Sequence, residues 1–214
     1  MTTLMLIGAT GLVGGAVLRQ AQSDARVDRI VAPTRRKLPP HPKLDNPVVD
    51  FQHLPADAAS WAVDSVICTL GTTIRQAGSR EAFRRVDHDY ALAVARLARQ
   101  HGAQAYALNS ATGADPGSRF FYNRVKGEVE EALRGVGFPS LTIVRPALIG
   151  GDRDEVRPAE FVAMRVLRLA EPLLPYRYRI VPHERIARAL LEAAVTAPSG
   201  EHIIGSDTIV RGTT

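Results

Sequence analysis

The sequence predicts an α/β fold built on a doubly wound parallel sheet, and three observations predict it. Short runs rich in apolar residues alternate with stretches of helical periodicity. Most of those runs are apolar throughout instead of alternating, as in a sheet covered by helices on both faces. The first run ends directly in a glycine-rich turn, GATGLVGG, that leads into the first helix. At 214 residues the chain suffices for one domain with a sizeable core.

Residues 4–7, LMLI, form the first strand, and a helical pattern follows the glycine turn through Gln22. Residues 29–34 form the second strand. KLPPHPKLDNP, residues 37–47, is proline-rich and is expected to be loop. Residues 47–51 are expected as a third strand and 64–70 as a fourth. Over residues 79–101, Phe83, Val86, Ala91, Val94, Leu97 and Ala98 recur near helical spacing, and Gly102 ends the helix. A fifth strand is expected at 105–109, a helix at 122–135, and a sixth strand at 141–144, stopped by Pro146. After Gly150 the alternation breaks, with helices near 160–170 and 184–194 and a late strand at 202–204. The whole is expected to be a single domain, residues 1–214, in which 151–214 supply the substrate-side elements.

Composition narrows the class. Hydrophobic residues make up 45% and charged residues 23%, as in ordinary globular proteins. No apolar run reaches the roughly 18 residues of a membrane span. The N-terminus lacks a basic leader, and its glycines interrupt the apolar stretch, which argues against a signal peptide. A single cysteine, Cys68, excludes an internal disulfide framework and a cysteine-rich zinc site. It lies in an apolar run and is expected to be a buried thiol. These features point to a reducing cytoplasm. The net charge is +5 and the basic residues, nearly all arginine, are dispersed, so no nucleic-acid partner is expected.

The turn carries Gly8, Gly11 and Gly14 in a G-x-x-G-x-x-G spacing between strand and helix. Without Cβ atoms the backbone admits a pyrophosphate, and the new helix offers free N–H groups and its positive dipole end. Gly8, Thr10, Gly11, Leu12, Val13 and Gly14 are therefore assigned to a dinucleotide, in a fold of Rossmann type. At the end of the second strand, where an acidic residue would bind the ribose 2′-hydroxyl of NAD, stand Arg35 and Arg36. Two guanidinium groups suit a 2′-phosphate, so NADP(H) is favoured over NAD(H); a solvated surface pair is the alternative. Asp50 and Phe51 close the third strand, where an adenine edge would lie. Leu70, Gly71 and Thr72 close the fourth, where small residues let the nicotinamide half pass.

FFYNRVKGEVEEAL, residues 120–133, places Lys126 four residues after Tyr122. That spacing puts both on one helix face. A fixed ammonium favours a phenolate beside it, which suits a proton-transfer role. Only one of the five tyrosines has lysine at +4, and chance supplies such a pair about 0.07 times in a chain of this composition. Ser110 closes the fifth strand, at the sheet edge where ligands bind. Its hydroxyl could hold a substrate oxygen; a turn-forming serine in NSATG is the alternative.

With GATGLVG (8–14), Ser110, Tyr122-x-x-x-Lys126 and Arg145-Pro146 in this order, the chain resembles the short-chain dehydrogenase/reductase superfamily. CTLGTTIRQAGSREAFRRVDHDY (68–90), YNRVKGEVE (122–130) and IVRPALIGGDR (143–153) resemble its atypical, Tat-interacting-protein-like branch. The resemblance implies Tyr122 as general acid/base and Ser110 as the residue orienting the substrate oxygen. It implies that Lys126 binds the nicotinamide ribose hydroxyls and lowers the pKa of the phenol. Pro146, Ala147 and Leu148 would lie against the nicotinamide. Two features depart from the wider superfamily: the 3-3 glycine spacing, and Asp87 where many relatives carry an asparagine that supports a water relay. The segment after Gly150 is short for a sugar-nucleotide epimerase.

On the substrate side Arg153, Arg157, Arg177 and Arg179 could meet an anionic group. VAMRVLRLAEPLLPYRYR, residues 162–179, could be a lid, a partner surface or an interfacial helix. The chain is expected to act as a monomer, or as a homodimer through the 79–101 helix. The expected activity is reduction of a small carbonyl compound, or the reverse oxidation of an alcohol. A second possibility is an NADPH-binding sensor or scaffold with vestigial turnover.

Overall fold

The computed structural model describes residues 2–55, 61–150 and 180–212. In chain order the strands are β1 (Thr2–Ile7), β2 (Val27–Val31), β3 (Leu44–Asp45), β4 (Ser65–Cys68), β5 (Ala105–Asn109), β6 (Ser140–Arg145), β7 (Leu148–Gly150), β8 (Ile180–Pro182) and β9 (Gly200–Gly205). The helices are α1 (Leu12–Ser23), α2 (Ile74–Ala77), α3 (Arg80–Arg84), α4 (Tyr90–Gln100), α5 (Phe121–Arg134), α6 (His183–Thr196) and α7 (Ser206–Arg211). Between α3 and α4 the helix widens into one π turn, Arg85–Asp89. Among the described residues no helix is long and apolar enough to cross a membrane.

Seven strands form one sheet in the order β3-β2-β1-β4-β5-β6-β9, every neighbour parallel. The chain runs outward from β1 through β2 to β3, then returns to restart at β4 on the other side of β1. The carboxyl ends of β1 and β4 therefore flank the point where the winding reverses, the place such sheets bind ligands. β7 and β8 pair separately, also in parallel.

The strand period of two sorts the core into two layers. Leu4 and Leu6 face α1 and α6, together with Ile30, Ile67, Val144, Val17 and Leu190. Met5 and Ile7 face the other way, toward α4 and α5, with Val66, Cys68, Leu108, Ile143, Val94 and Val129. Each large aliphatic side chain so buried contributes roughly 1.5–3 kcal/mol. Cys68 is a buried free thiol, and burial pushes its pKa up.

Most elements lie where the sequence puts them, and the helical run expected over 79–101 starts at Ser79, whose hydroxyl accepts from the Ala82 amide to cap α3. Gly102 closes the helix run at φ +100°. The third strand is a correction. It lies at Leu44–Asp45, inside the stretch expected to be loop, not at 47–51. Ile30 and Ala32 donate to the carbonyls of Lys43 and Asp45, and Thr34 donates to that of Pro47. Pro47 has no N–H to return, so the ladder dwindles to one isolated bridge, Thr34 to Val48. The helix expected near 160–170, the four arginines from 153 to 179 and the 162–179 stretch lie outside the described residues.

Candidate functional site

The first turn shows two different uses of glycine. Gly8 adopts φ +88°, and a Cβ there would stand 2.6 Å from the Thr69 backbone. A Cβ on Gly14 would stand 2.0 Å from the Gly8 carbonyl oxygen. Both glycines are thus demanded by the protein's own packing: the start of α1 presses the loop onto the end of β4, where the Thr69 hydroxyl donates to the Ile7 carbonyl at 3.0 Å. Gly11, at the N-cap of α1, is different. Its Cβ would meet only the Gly8 oxygen, at 3.4 Å, so the protein's own packing does not require glycine there. The open turn at this helix N-terminus fits a dinucleotide pyrophosphate. Thr10 is exposed beside it, Leu12 is half-buried, and Val13 points into the core.

A cleft runs from this loop along the sheet edge. Gly8, Ala9 and Thr10 form one wall, Pro33, Thr34, Arg35 and Arg36 another, and Phe51 and Leu70 close it. The arginine loop is braced from behind. Asn46 donates to the Ala32 carbonyl and the Thr34 hydroxyl, and accepts from the Leu38 amide. The Thr34 hydroxyl in turn donates to the Arg36 carbonyl at 2.6 Å. Both arginines are exposed, and among the described residues neither is ion-paired. Phe51 leans on Tyr90, with ring centroids 5.6 Å apart. Asp50, beside it, is turned to its own loop: its carboxylate bonds the Gln52 amide and the His53 ring, and these hold its pKa below the ordinary carboxylate value.

The second half of the site is assembled on α5. Its inner face buries Val125, Val129 and Leu133, as a globular helix should, but also Lys126 and Glu130. Charged residues at such depth require partners. Lys126 Nζ lies 2.8 Å from Asp87 Oδ1, with side chains 4% and 0% exposed. The π turn presents Asp87 inward, where its second oxygen accepts the Thr72 amide at 2.9 Å. Thus the turn after β4, reached two residues beyond Leu70, is tied through Asp87 to Lys126. Burial pushes the Lys126 ammonium down, but the facing Asp87 carboxylate, with Tyr122, more than offsets it, leaving its pKa above 10.5.

Tyr122, one turn before Lys126, is 41% exposed and packs on Phe83 with ring centroids 5.8 Å apart. Gly127 lets the β5–α5 connection rest on the helix: a Cβ there would stand 2.2 Å from both the Asp115 carbonyl carbon and the Pro116 nitrogen. Ser110 is buried at the end of β5, and its hydroxyl donates to Glu130 Oε1 at 2.5 Å. Arg145 clasps the same carboxylate, Nε to Oε1 at 3.1 Å and Nη2 to Oε2 at 2.5 Å. Pro146 is buried, and its carbonyl accepts from the Thr112 amide. Ala147 is half-buried and Leu148 opens β7.

The structure therefore gathers Gly8, Thr10, Arg35, Arg36, Phe51 and Leu70 around one cleft, and joins Tyr122, Lys126 and Asp87 on the far side of the β4 turn. Ser110 is bonded to Glu130, which the sequence reading did not single out. A signal was present: Tyr122, Lys126 and Glu130 recur every four residues, one stripe of α5. Nothing in the sequence announced the brace at Asn46.

No protein-family model matches the chain. Among curated proteins it is 40% identical over 173 residues to Fmp52 of Emericella nidulans, covering 76% of this chain and 73% of that one. It is 34% identical over 204 residues to HTATIP2 of Rattus norvegicus, covering 93% of this chain and 84% of that one. Among solved structures it resembles MoeE5 in complex with UDP-glucose and NAD (TM-score 0.71, 18% identity, 95% of this chain and 76% of that one). WbmH of Bordetella bronchiseptica, in complex with NAD+, is similar (TM-score 0.69, 16% identity, 96% and 76%). At these identities the structural matches establish the fold. The expected cytoplasmic location is corrected by the relatives, since the Fmp52 proteins are named as mitochondrial. A lone buried thiol reports a disulfide-free fold and does not tell one reducing compartment from another. By sequence and by fold, the chain belongs to the Tat-interacting-protein-like branch of the atypical short-chain dehydrogenases/reductases, the branch of HTATIP2 and Fmp52.

Proposed function

We propose that this protein is an NADP(H)-dependent oxidoreductase that interconverts a small carbonyl compound and its alcohol, with Tyr122, Lys126 and Ser110 at the reacting oxygen. The observation that carries the reading is the buried Lys126, fixed by Asp87 one helical turn from the exposed Tyr122. An ammonium at that depth, next to a phenol that solvent and ligand reach, is an arrangement that proton transfer uses and packing does not require.

The bound nicotinamide would supply or accept the hydride. Gly8, Thr10, Gly11, Leu12, Val13 and Gly14 would hold the pyrophosphate, and Arg35 and Arg36 the ribose 2′-phosphate, with Phe51 against the adenine. Gly71 and Thr72 leave room for the nicotinamide half, backed by Pro146 and Ala147. In reduction Tyr122 gives its phenolic proton to the oxygen that becomes the alcohol; in oxidation it takes that proton back. Lys126 has three N–H donors and is held by its ion pair with Asp87 at 2.8 Å. These donors serve a ribose hydroxyl and stabilise the phenolate that Tyr122 leaves behind. Ser110 meets the same substrate oxygen, and residues 151–214 complete the substrate side of the single domain.

The alternative is a sensor or scaffold that binds NADPH with vestigial turnover. It draws support from one observation: Asp87 neutralises Lys126, and Glu130 engages Ser110, so two of the three groups already have partners inside the protein. Calorimetric titration of NADPH and NADH, followed by a screen of aldehydes and ketones for NADPH oxidation, separates the readings. Tighter binding of NADPH, with turnover lost in Tyr122→Phe, is the expected result. Turnover equal in Tyr122→Phe and wild type would overturn the proposed chemistry, and failure to bind either cofactor would overturn both readings.

A further inference from the structure

We propose that Glu130, clasped by Arg145, is a positioning residue that takes the only proton of Ser110, so that Ser110 offers the substrate a lone pair and selects the alcohol over the carbonyl form. The inference rests on the reading above, in which Ser110 meets the substrate oxygen. A serine hydroxyl has one proton and two lone pairs. Here the proton is given to Glu130 Oε1 at 2.5 Å, deep in the protein, where Ser110 is 4% and Glu130 1% exposed. A guanidinium only donates, and Arg145 engages both oxygens of the carboxylate, so Glu130 has nothing to give back. Ser110 then binds a group that brings its own proton. A carbonyl oxygen has none, so Tyr122 alone donates to it.

Glu130→Gln inverts this polarity without changing shape. The closer contact from Arg145 is Nη2 to Oε2 at 2.5 Å, against 3.1 Å from Nε to Oε1. The amide oxygen of glutamine therefore turns to Nη2, and its NH2 faces Ser110. Ser110 becomes the acceptor in that bond, and its proton turns toward the substrate. A residue that only filled space would have no such effect on which ligand form is preferred.

The experiment uses the full chain with benzyl alcohol titrated into the NADPH complex and benzaldehyde into the NADP+ complex, two combinations that cannot turn over. Wild type is expected to bind the alcohol more tightly than the aldehyde. Ser110→Ala should weaken the alcohol about fivefold, the worth of one neutral hydrogen bond, and leave the aldehyde unchanged. Glu130→Gln should weaken the alcohol and tighten the aldehyde by about the same factor. Urea midpoints confirm that each variant is folded, and should Glu130→Gln fail to fold, the Ser110→Ala arm decides alone. Parallel changes in the two dissociation constants, no change in either, or no binding of either probe overturns the inference. If NADPH itself does not bind, the parent reading has failed; if NADPH binds and the preference does not invert, only this inference has.

Discussion

Removing Asp87 should expose how much of the molecule depends on one buried charge pair. In Asp87→Ala, Lys126 keeps a side chain only 4% exposed and loses its carboxylate. Stranding one partner of a buried pair costs about 3–5 kcal/mol. The Thr72 amide also loses its acceptor, which adds about 1 kcal/mol. Asp87→Asn keeps an oxygen for Thr72 and a dipole for Lys126 and should fall between wild type and alanine. Asp87→Ala/Lys126→Met removes both charges and should regain most of the loss, because apolar replacement of a whole buried pair is near neutral. Equilibrium urea denaturation at pH 7 reads all four proteins, with a constant slope confirming that only stability has changed. A double variant no more stable than Asp87→Ala, or a single-variant loss under about 1 kcal/mol, would refute the reasoning. The pH dependence follows with a definite sign. Lys126 has a folded pKa above the unfolded 10.5, so its contribution is whole below pH 10.5 and fades as pH climbs through the folded value. In Asp87→Asn burial is left without its main counterweight, so the Lys126 pKa falls below 10.5 and the sign reverses: stability should rise, not fall, as pH climbs toward 10.5.

The remaining predictions test the cleft and the loop. Arg35→Ala and Arg36→Ala should each lower NADPH affinity about tenfold with little effect on NADH, read by calorimetry. Gly11→Ala should leave the urea midpoint near wild type, because its Cβ meets only the Gly8 oxygen, at 3.4 Å, and should weaken NADPH at least about tenfold if the proposed pyrophosphate approaches the turn backbone there. Gly14→Ala should instead lose about 1–3 kcal/mol of stability, since its Cβ would stand 2.0 Å from the Gly8 oxygen. Tyr122→Phe should cut turnover about 10²- to 10⁴-fold while NADPH affinity holds, measured by absorbance at the nicotinamide band and by calorimetry.

The parts of the fold that were legible in the sequence are those decided locally. Residues 4–7 are apolar and end in glycine, so strand, turn and helix follow from neighbours within a few positions. The pair Leu44–Asp45 was not legible, because its pairing is fixed by Ile30 and Ala32 on another strand while its own flanks, Pro42 and Pro47, argue for loop. In the site, the stripe at 122 and 126 was readable from spacing. Its third member, Glu130, was readable in position but not in role, since Ser110 and Arg145 reach it from two separate strands. Asp87 was visible as a departure from relatives, yet its contact with Lys126 depends on a π turn that no residue pattern marks.

The meeting of α1 with α6 has a consequence for how the protein comes into being. The helix that begins at the glycine loop is covered by residues 183–196; Gln20 donates to the Glu184 carbonyl, and Arg26, just past the helix, pairs with Glu192. During synthesis the loop would emerge early and wait, its helix lacking its lid of aliphatic side chains, until some 160 further residues had left the ribosome. Pairings so distant in sequence are slow to close and leave apolar surface open meanwhile. The glycine turn is thus made well before the helix that supports it and is among the last parts to become firm, and a chain stopped short of α6 would have that turn without the support that shapes it.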